Sequence, residues 1–265
     1  MTYRNTFRQF AETTIANKGQ VIANTDDPGV RIAFRNLKYI KYGLHDPNLD
    51  WYATNLAYSS KSTSFDLYHK KRFISRCELS LLGEHNVANA LAVLAAAHSI
   101  GIFPKRAITY LKSYPGIPRR MELKANFNNI HIFNDYGHAP NEIQSTLSAL
   151  RHAFPDSRLV CYFQPHTFSR INSFFDDYMR VLGVADVVRV GDVYASRDLN
   201  GFADLPKLIK GINCPDKAQI GDVNNATEYF KKFLKPNDVF VAFTAGNGSQ
   251  VPEELAKYLE SVYKT

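Results

Sequence analysis

Two stretches of this chain concentrate side chains able to handle protons and carboxylates. The first is Asn134-Asp135-Tyr136-Gly137-His138-Ala139-Pro140, and the second is Gln164-Pro165-His166-Thr167-Phe168-Ser169-Arg170. An imidazole can accept or donate a proton near neutral pH, and a fixed guanidinium can hold a carboxylate or steady a developing oxyanion. Two further loops, Gly191-Asp192-Val193-Tyr194 and Thr244-Ala245-Gly246-Asn247-Gly248-Ser249, are polar or glycine-rich. Any one of them reads as an ordinary turn or helix cap, because Asn, Asp, Gly and Ser fill such positions after any strand. Capping does not require two histidines, a tyrosine and an arginine together, so the set points to a site.

Each loop follows an apolar run of strand length: Ile130-His131-Ile132-Phe133, Leu159 to Phe163, Val187-Val188-Arg189-Val190, and Val239 to Phe243. Amphipathic stretches between them read as helices from Asn141 to His152, from Ser169 to Leu182, near Leu205 and from Asn224 to Leu234, with a last helix behind the final loop. This alternation predicts an α/β fold with a mostly parallel sheet and helices on both faces. In such a sheet ligands bind beyond the carboxyl ends of the strands, where loops converge and helix N-termini point. The four loops are therefore expected on one rim.

Upstream the texture differs. A helical start (Phe7, Phe10, Ala11, Ile15) and the strand-like Val21-Ile22-Ala23 precede short alternating runs such as Trp51-Tyr52-Ala53-Thr54 and Ser64 to Tyr68, which predict small antiparallel strands. From Glu84 to about Ile100 the period is helical, with Val87, Leu91, Leu94, Ala95 and His98 on one face and Gly101 as the stop. The turn-rich connector Ser113-Tyr114-Pro115-Gly116-Ile117-Pro118 is the expected boundary, dividing the chain into domains 1–115 and 116–265.

A chain of 265 residues is long enough for two cores. The net charge of +7 is dispersed, and its aromatics are not interleaved with basic residues in any nucleic-acid module, so no nucleic-acid partner is expected. Excess positive charge equally suits a phosphorylated ligand. No apolar run reaches membrane-spanning length, and no apolar core follows the charged start Met1-Thr2-Tyr3-Arg4-Asn5, which places the chain in the cytoplasm with no membrane partner. Cys77, Cys161 and Cys214 are scattered and lack metal-ligand spacing, so no metal site is expected.

Four ordered motifs resemble those of the Mur ligases. Gly83-Glu84-His85-Asn86-Val87-Ala88-Asn89-Ala90-Leu91-Ala92 is similar to GxHNxxNxLAA, and Pro118-Arg119-Arg120-Met121-Glu122 to the RRxE segment. Asn134 to Pro140, followed by Glu142-Ile143 and Thr146-Leu147, resembles DDYGHHP of the alanine-adding members, and Phe163 to Arg170 resembles their FQPHRYTR. With weaker similarity in Phe7 to Asp27 and Trp51 to Phe65, the resemblance runs over nearly the whole chain.

The resemblance implies an incomplete central ATPase domain followed by a complete Rossmann-like C-terminal domain. It implies ATP and magnesium as cofactors, and an amino acid, L-alanine foremost, joined to UDP-N-acetylmuramate through an acyl phosphate. By motif position Asn86 and Asn89 would hold the adenine edge, Arg120 the nucleotide phosphates and Asp135 the ribose. Tyr136, His138, His166 and Arg170 would meet the incoming amino acid, with His138, His166 and Arg170 at the reacting centre.

No segment matches GxxxxGK[ST], so the backbone amides and lysine that cradle phosphates are missing. In the family that loop, the magnesium-binding Glu and His, and the UDP-binding domain lie upstream of the matched region. The expectation is a chain inactive alone, working with a separate chain that carries the P-loop half, or as part of a longer protein. The alternative is a non-catalytic remnant that binds nucleotide or a partner. Asn134 and Ala139 replace a family Asp and His, and Thr167-Phe168-Ser169 replaces Arg-Tyr-Thr.

Overall fold

The computed structural model describes residues 3–264; Met1, Thr2 and Thr265, including the first two residues of the charged start, lie outside them. The chain folds as two compact units divided between Pro115 and Gly116.

The first unit opens with α1 (Tyr3–Ala16), β1 (Ile22–Asn24), α2 (Pro28–Ala33), β2 (Ile40–Leu44), β3 (Trp51–Tyr58), β4 (Thr63–His69) and β5 (Arg72–Leu79). It closes with α3 (Glu84–Ser99) and α4 (Pro104–Lys112). The strands form one sheet in sequence order. The antiparallel reading holds for β3, β4 and β5, whereas β1, β2 and β3 pair in parallel. Each of the two parallel pairings joins only three residues of either strand, too few to leave a periodic pattern in the sequence.

Inward residues Trp51, Ala53, Phe65, Leu67, Cys77 and Leu79 pack on Val87, Ala90, Leu91, Leu94 and Ala95 of α3, as the helical period requires. His98 departs from that reading: it is exposed, though its ring meets Trp51 edge-on at 5.4 Å. Gly101 does stop α3, with φ +88 in the left-handed region that glycine enters at little cost.

The second unit runs β6 (Glu122–Phe127), β7 (Ile130–Asp135), α5 (Pro140–Ala153), β8 (Arg158–Gln164), α6 (Phe168–Ser173), α7 (Phe175–Leu182) and β9 (Val187–Gly191). Then come α8 (Leu205–Gly211), β10 (Asp216–Gly221), α9 (Val223–Phe233), β11 (Asp238–Thr244), a single 3-10 turn and α10 (Gln250–Tyr263). The six-stranded sheet has the order β10-β9-β8-β11-β7-β6, and only β6 is antiparallel to its neighbour. Helices cover both faces, as adjacent residues of β8 show: Tyr162 meets Phe230 of α9, and Phe163 meets Tyr178 of α7.

Three local readings change. β6 and β10 are strands that the hydrophobic pattern does not mark, because they are edge strands carrying polar residues. The helix expected from Ser169 to Leu182 is broken at Phe174 (φ −126, ψ 30) into α6 and α7. β7 and β8 also run on through Asp135 and Gln164, so these two residues end strands instead of opening loops.

Candidate active site

Strands β9, β8, β11 and β7 are successive neighbours in the sheet and mutually parallel, so the four loops leaving their carboxyl ends adjoin. The loops are also bonded together. Gln164 at the end of β8 donates to Asn247 Oδ1 and accepts from Gly248 N, both at 2.8 Å. Tyr194 N donates to Pro165 O at 2.8 Å, and Thr167 N to Tyr194 O at 3.1 Å, which lays the β9 loop along the β8 loop.

Four rings lie in a row along this rim. Tyr136 meets His138 edge-on at 5.2 Å, His138 lies 5.7 Å from His166, and His166 stacks on Tyr194 at 5.8 Å. Arg170 Nη1 lies 3.0 Å from His166 Nδ1. Tyr136, His138, His166 and Arg170, the four side chains expected at the rim, are thus gathered in it and half-buried. Next to them a cleft of about 370 Å³ is lined by Gln164, Asp192, Tyr194, Ser196, Asp222 and Asn247, among others.

The partners fix the tautomers of the two histidines. A guanidinium only donates, so His166 Nδ1 must accept from Arg170, which puts the proton of the neutral ring on Nε2. His138 Nδ1 lies 3.1 Å from the Tyr136 carbonyl, which only accepts, so there Nδ1 carries the proton and Nε2 the lone pair. Burial foremost, then the charges of Arg170 and His138, pushes His166 below its ordinary value and keeps it neutral. The rim therefore offers one imidazole N–H donor and one imidazole acceptor side by side.

The β7 loop is anchored from beneath. The Tyr178 hydroxyl of α7 donates to His138 O at 2.6 Å, and Glu142 Oε2 accepts from the amides of His138 (2.9 Å) and Ala139 (3.1 Å). Asp135 faces inward: it is 4% exposed, and its carboxylate accepts from Gly137 N, Met121 N and Thr146 Oγ1. Burial outweighs these three bonds and raises its carboxyl above the ordinary value. The structure thus gives Asp135 a structural task, holding both Met121 and the turn at Gly137.

Arg120, by contrast, presents a half-exposed guanidinium, 3.6 Å from Glu142 and 5.4 Å from the centre of the Tyr136 ring. Asn86 and Asn89 belong to the first unit, one turn apart on α3. Asn86 is half-buried and donates to Leu82 O at 2.8 Å, while Asn89 is exposed.

Tyr194, Tyr178 and Glu142 had no role assigned from sequence. Tyr194 sits in a loop already marked as part of the rim, and Glu142 lies three residues past a helix start, a spacing that suits a capping acid. Tyr178 had no signal, since a buried position on a helix face looks like core. The expected rim also contains polar atoms without partners: Asn134, fully buried, bonds through neither amide atom, and Thr244 Oγ1 and Arg119 Nε are likewise unpaired.

Two family models match the chain in order, the Mur ligase middle domain over residues 1–97 and the Mur ligase glutamate ligase domain over residues 119–246. The chain belongs to the Mur ligase family. Among similar Mur ligases, the UDP-N-acetylmuramate--L-alanine ligase of Roseiflexus castenholzii is 35% identical over 269 residues, covering 95% of this chain and 56% of its own length. That of Caldanaerobacter subterraneus subsp. tengcongensis is 33% identical, covering 97% of this chain and 56% of its own length. This Mur ligase chain therefore spans a little over half the length of the relatives it matches.

The fold agrees. The UDP-N-acetylmuramate-alanine ligase of Thermotoga maritima matches with a TM-score of 0.77 at 21% identity, over 97% of this chain and 55% of that one. The MurF ligase of the same organism, solved in complex with ADP, matches at 0.69 and 19%, over 92% of this chain and 55% of that one. Among the described residues no group of three or more His, Cys, Asp or Glu is placed to hold a metal ion. Among the described residues, too, no helix is long and apolar enough to cross a membrane.

Proposed function

We propose that this chain is the C-terminal portion of an ATP-dependent ligase of peptidoglycan-precursor synthesis, joining an amino acid, L-alanine foremost, to UDP-N-acetylmuramate. On this reading residues 1–115 are the last part of the central ATPase domain, without its phosphate loop, and residues 116–265 are the whole Rossmann-like C-terminal domain. The observation that carries the proposal is the ring row Tyr136, His138, His166 and Tyr194, with Arg170 bonded to His166. The similarity to relatives named for that activity supports it.

The residues divide the work by their chemistry. Arg170 holds the carboxylate of the amino acid, a task suited to a fixed guanidinium. His138 Nε2, with its lone pair, accepts the proton that the amine loses as it attacks. His166 Nε2–H donates to the oxyanion of the tetrahedral intermediate. Arg120 faces the nucleotide phosphates, and Asn86 and Asn89 the adenine edge. ATP, bound with magnesium, supplies the phosphoryl group that activates the sugar carboxylate; the magnesium ligands and phosphate loop come from outside the residues described, in a longer polypeptide or a separate chain. The setting is the cytoplasm, in a pathway serving cell shape and division.

The test mixes the purified chain with a P-loop-bearing half, ATP, magnesium, UDP-N-acetylmuramate and each amino acid in turn. Phosphate release with L-alanine supports the proposal, and silence with every amino acid counts against it.

A second reading, a non-catalytic remnant that binds nucleotide or a partner, is favoured by the altered rim. Where the motif has Arg, this chain has Thr167, buried and held at φ +62, a conformation costly for a β-branched residue. Calorimetry separates the two readings: a remnant binds ATP or a UDP-sugar while no partner half restores turnover.

A further inference from the structure

Arg120 is presented by a loop held in an unfavourable shape. The residues on either side of it, Arg119 (φ +60) and Met121 (φ +46), are both in the left-handed region that non-glycine residues avoid. Four bonds keep them there. Arg119 N donates to Glu122 Oε2 at 2.9 Å, Met121 N to Asp135 Oδ2 at 3.0 Å, Tyr136 N to Arg119 O at 2.6 Å, and Arg119 Nη2 to Thr244 O at 2.6 Å. The backbone is thus pinned on both sides while the Arg120 guanidinium stands out, half-exposed, over the Tyr136 ring. Backbone strain held in place by surrounding bonds is found at active sites and ligand clamps.

The guanidinium is partnered by Glu142. Oε1 of that carboxylate lies 3.6 Å from Arg120 Nη1, a loose single contact and not the close bidentate fork that arginine forms with carboxylates when the pair is permanent. The other oxygen is firmly engaged by the amides of His138 and Ala139 and lies 3.7 Å from His138 Nδ1. Burial works to raise the Glu142 carboxyl, but the two amides, His138 and Arg120 outweigh it and hold the group ionised. One carboxylate therefore caps the His138 turn firmly and touches Arg120 weakly.

We propose that Glu142 is a positioning residue that serves Arg120 as a displaceable counter-ion, standing where an anionic phosphate group of a ligand would stand and yielding the guanidinium when that anion arrives. This rests on the reading of Arg120 as a phosphate-facing residue. The device keeps Arg120 aimed without a ligand, and the amides of His138 and Ala139 keep Glu142 in place after Arg120 leaves it.

The experiment titrates the full chain with inorganic tripolyphosphate at fixed ionic strength, following chemical shifts by NMR, in the wild type, Glu142→Gln, Arg120→Gln and the double variant. Glutamine keeps a carbonyl oxygen for the two amides, and thermal unfolding verifies that the turn persists. A half-exposed pair of this kind is worth about a two- to fivefold change in affinity. Glu142→Gln is expected to bind tripolyphosphate tighter by that factor, Arg120→Gln to bind it more weakly, and the double variant to match Arg120→Gln. In the wild type the Glu142 Cδ signal must shift during the titration, a readout that needs no mutation. If Glu142→Gln binds no tighter, or the Cδ signal stays still, while Arg120→Gln loses affinity, Glu142 is a helix cap alone and the inference is overturned. If Arg120→Gln binds like the wild type, the reading of Arg120 itself is wrong and the inference goes with it.

Discussion

Arg170 Nη1 lies 3.0 Å from His166 Nδ1, and the guanidinium can only donate, so this contact assigns the imidazole tautomer and opposes its protonation. Burial foremost, and Arg170 after it, hold His166 below its ordinary value. Arg170→Gln removes one of the causes, though burial, the largest, remains, so the His166 titration followed by NMR should move upward. An unmoved midpoint would show that the two side chains do not interact in solution.

The same depression has a consequence for stability. The folded protein holds this proton less tightly than the unfolded chain, so the unfolded state takes up more protons as pH falls through 6.5 towards the lower folded value. His131, also depressed chiefly by burial, acts with the same sign in the same unit. Urea unfolding should report a less stable second unit at about pH 5.5 than at about pH 7.5. Equal stability at both would contradict the assignment.

Asp135 takes three inward hydrogen bonds from Gly137, Met121 and Thr146. Asp135→Ala leaves those donors unsatisfied in a buried place and should cost about 3 kcal/mol, whereas Thr146→Val, which removes one donor, should cost about 1 kcal/mol. Denaturant midpoints for the two variants provide the comparison. An Asp135→Ala protein as stable as the wild type would mean that the carboxylate faces a ligand instead.

The Tyr178 hydroxyl supports the His138 carbonyl at 2.6 Å from below. Tyr178→Phe keeps the ring against Phe163 and removes only that donor, at a cost of about 1 kcal/mol. Its visible effect should be a shift of the His138 ring resonances. Unshifted resonances would leave the hydroxyl a bystander.

A β-carbon added at Gly246 would lie 2.4 Å from Tyr194 Cγ, so Gly246→Ala must push the Tyr194 ring off His166. Such overpacking costs about 1–3 kcal/mol. A crystal structure of the variant should show the stack opened and the cleft beside it reshaped; an intact stack would mean that the loop after β11 yields instead.

Asn134 is fully buried with neither amide atom bonded, in a place where the family motif has an acid. Asn134→Leu removes two unsatisfied polar atoms while keeping the same branching and number of side-chain heavy atoms, and should be neutral or stabilising by about 1 kcal/mol. A clear loss of stability would reveal a bound water or ligand on that amide.

Much of the second unit was legible because its inner strands are apolar on both faces. Runs such as Val187-Val188-Arg189-Val190 and Val239 to Phe243 stand out against amphipathic helices, and the loops after them could be named before any coordinates. The polar edge strands β6 and β10 were not legible, even though Asn128 and Asn129, both at positive φ, make the tight turn that joins β6 to β7. The break at Phe174 was hidden too, because the residues on both sides of it are acceptable in one continuous helix.

By itself the sequence determined the inner strands of the second unit and most of its helices, the rim on which the polar loops had to meet, and the motifs that place the chain among the Mur ligases. These follow from local periodicity and from residues close together along the chain. Tertiary structure alone decided that Asp135 turns inward while Arg120 stands out, that His138 and His166 carry their protons on opposite nitrogens, and that Tyr194, Tyr178 and Glu142 join the site. Asp135 turns inward onto Met121 and Thr146, and Tyr194 and Tyr178 reach the site through bonds to the β8 loop and to His138, partners from other elements that a pattern read along one strand or helix does not contain. The contacts of His138 with Tyr136 and Glu142 and of His166 with Arg170 are close in sequence, but their direction is set by the folded shape of each loop.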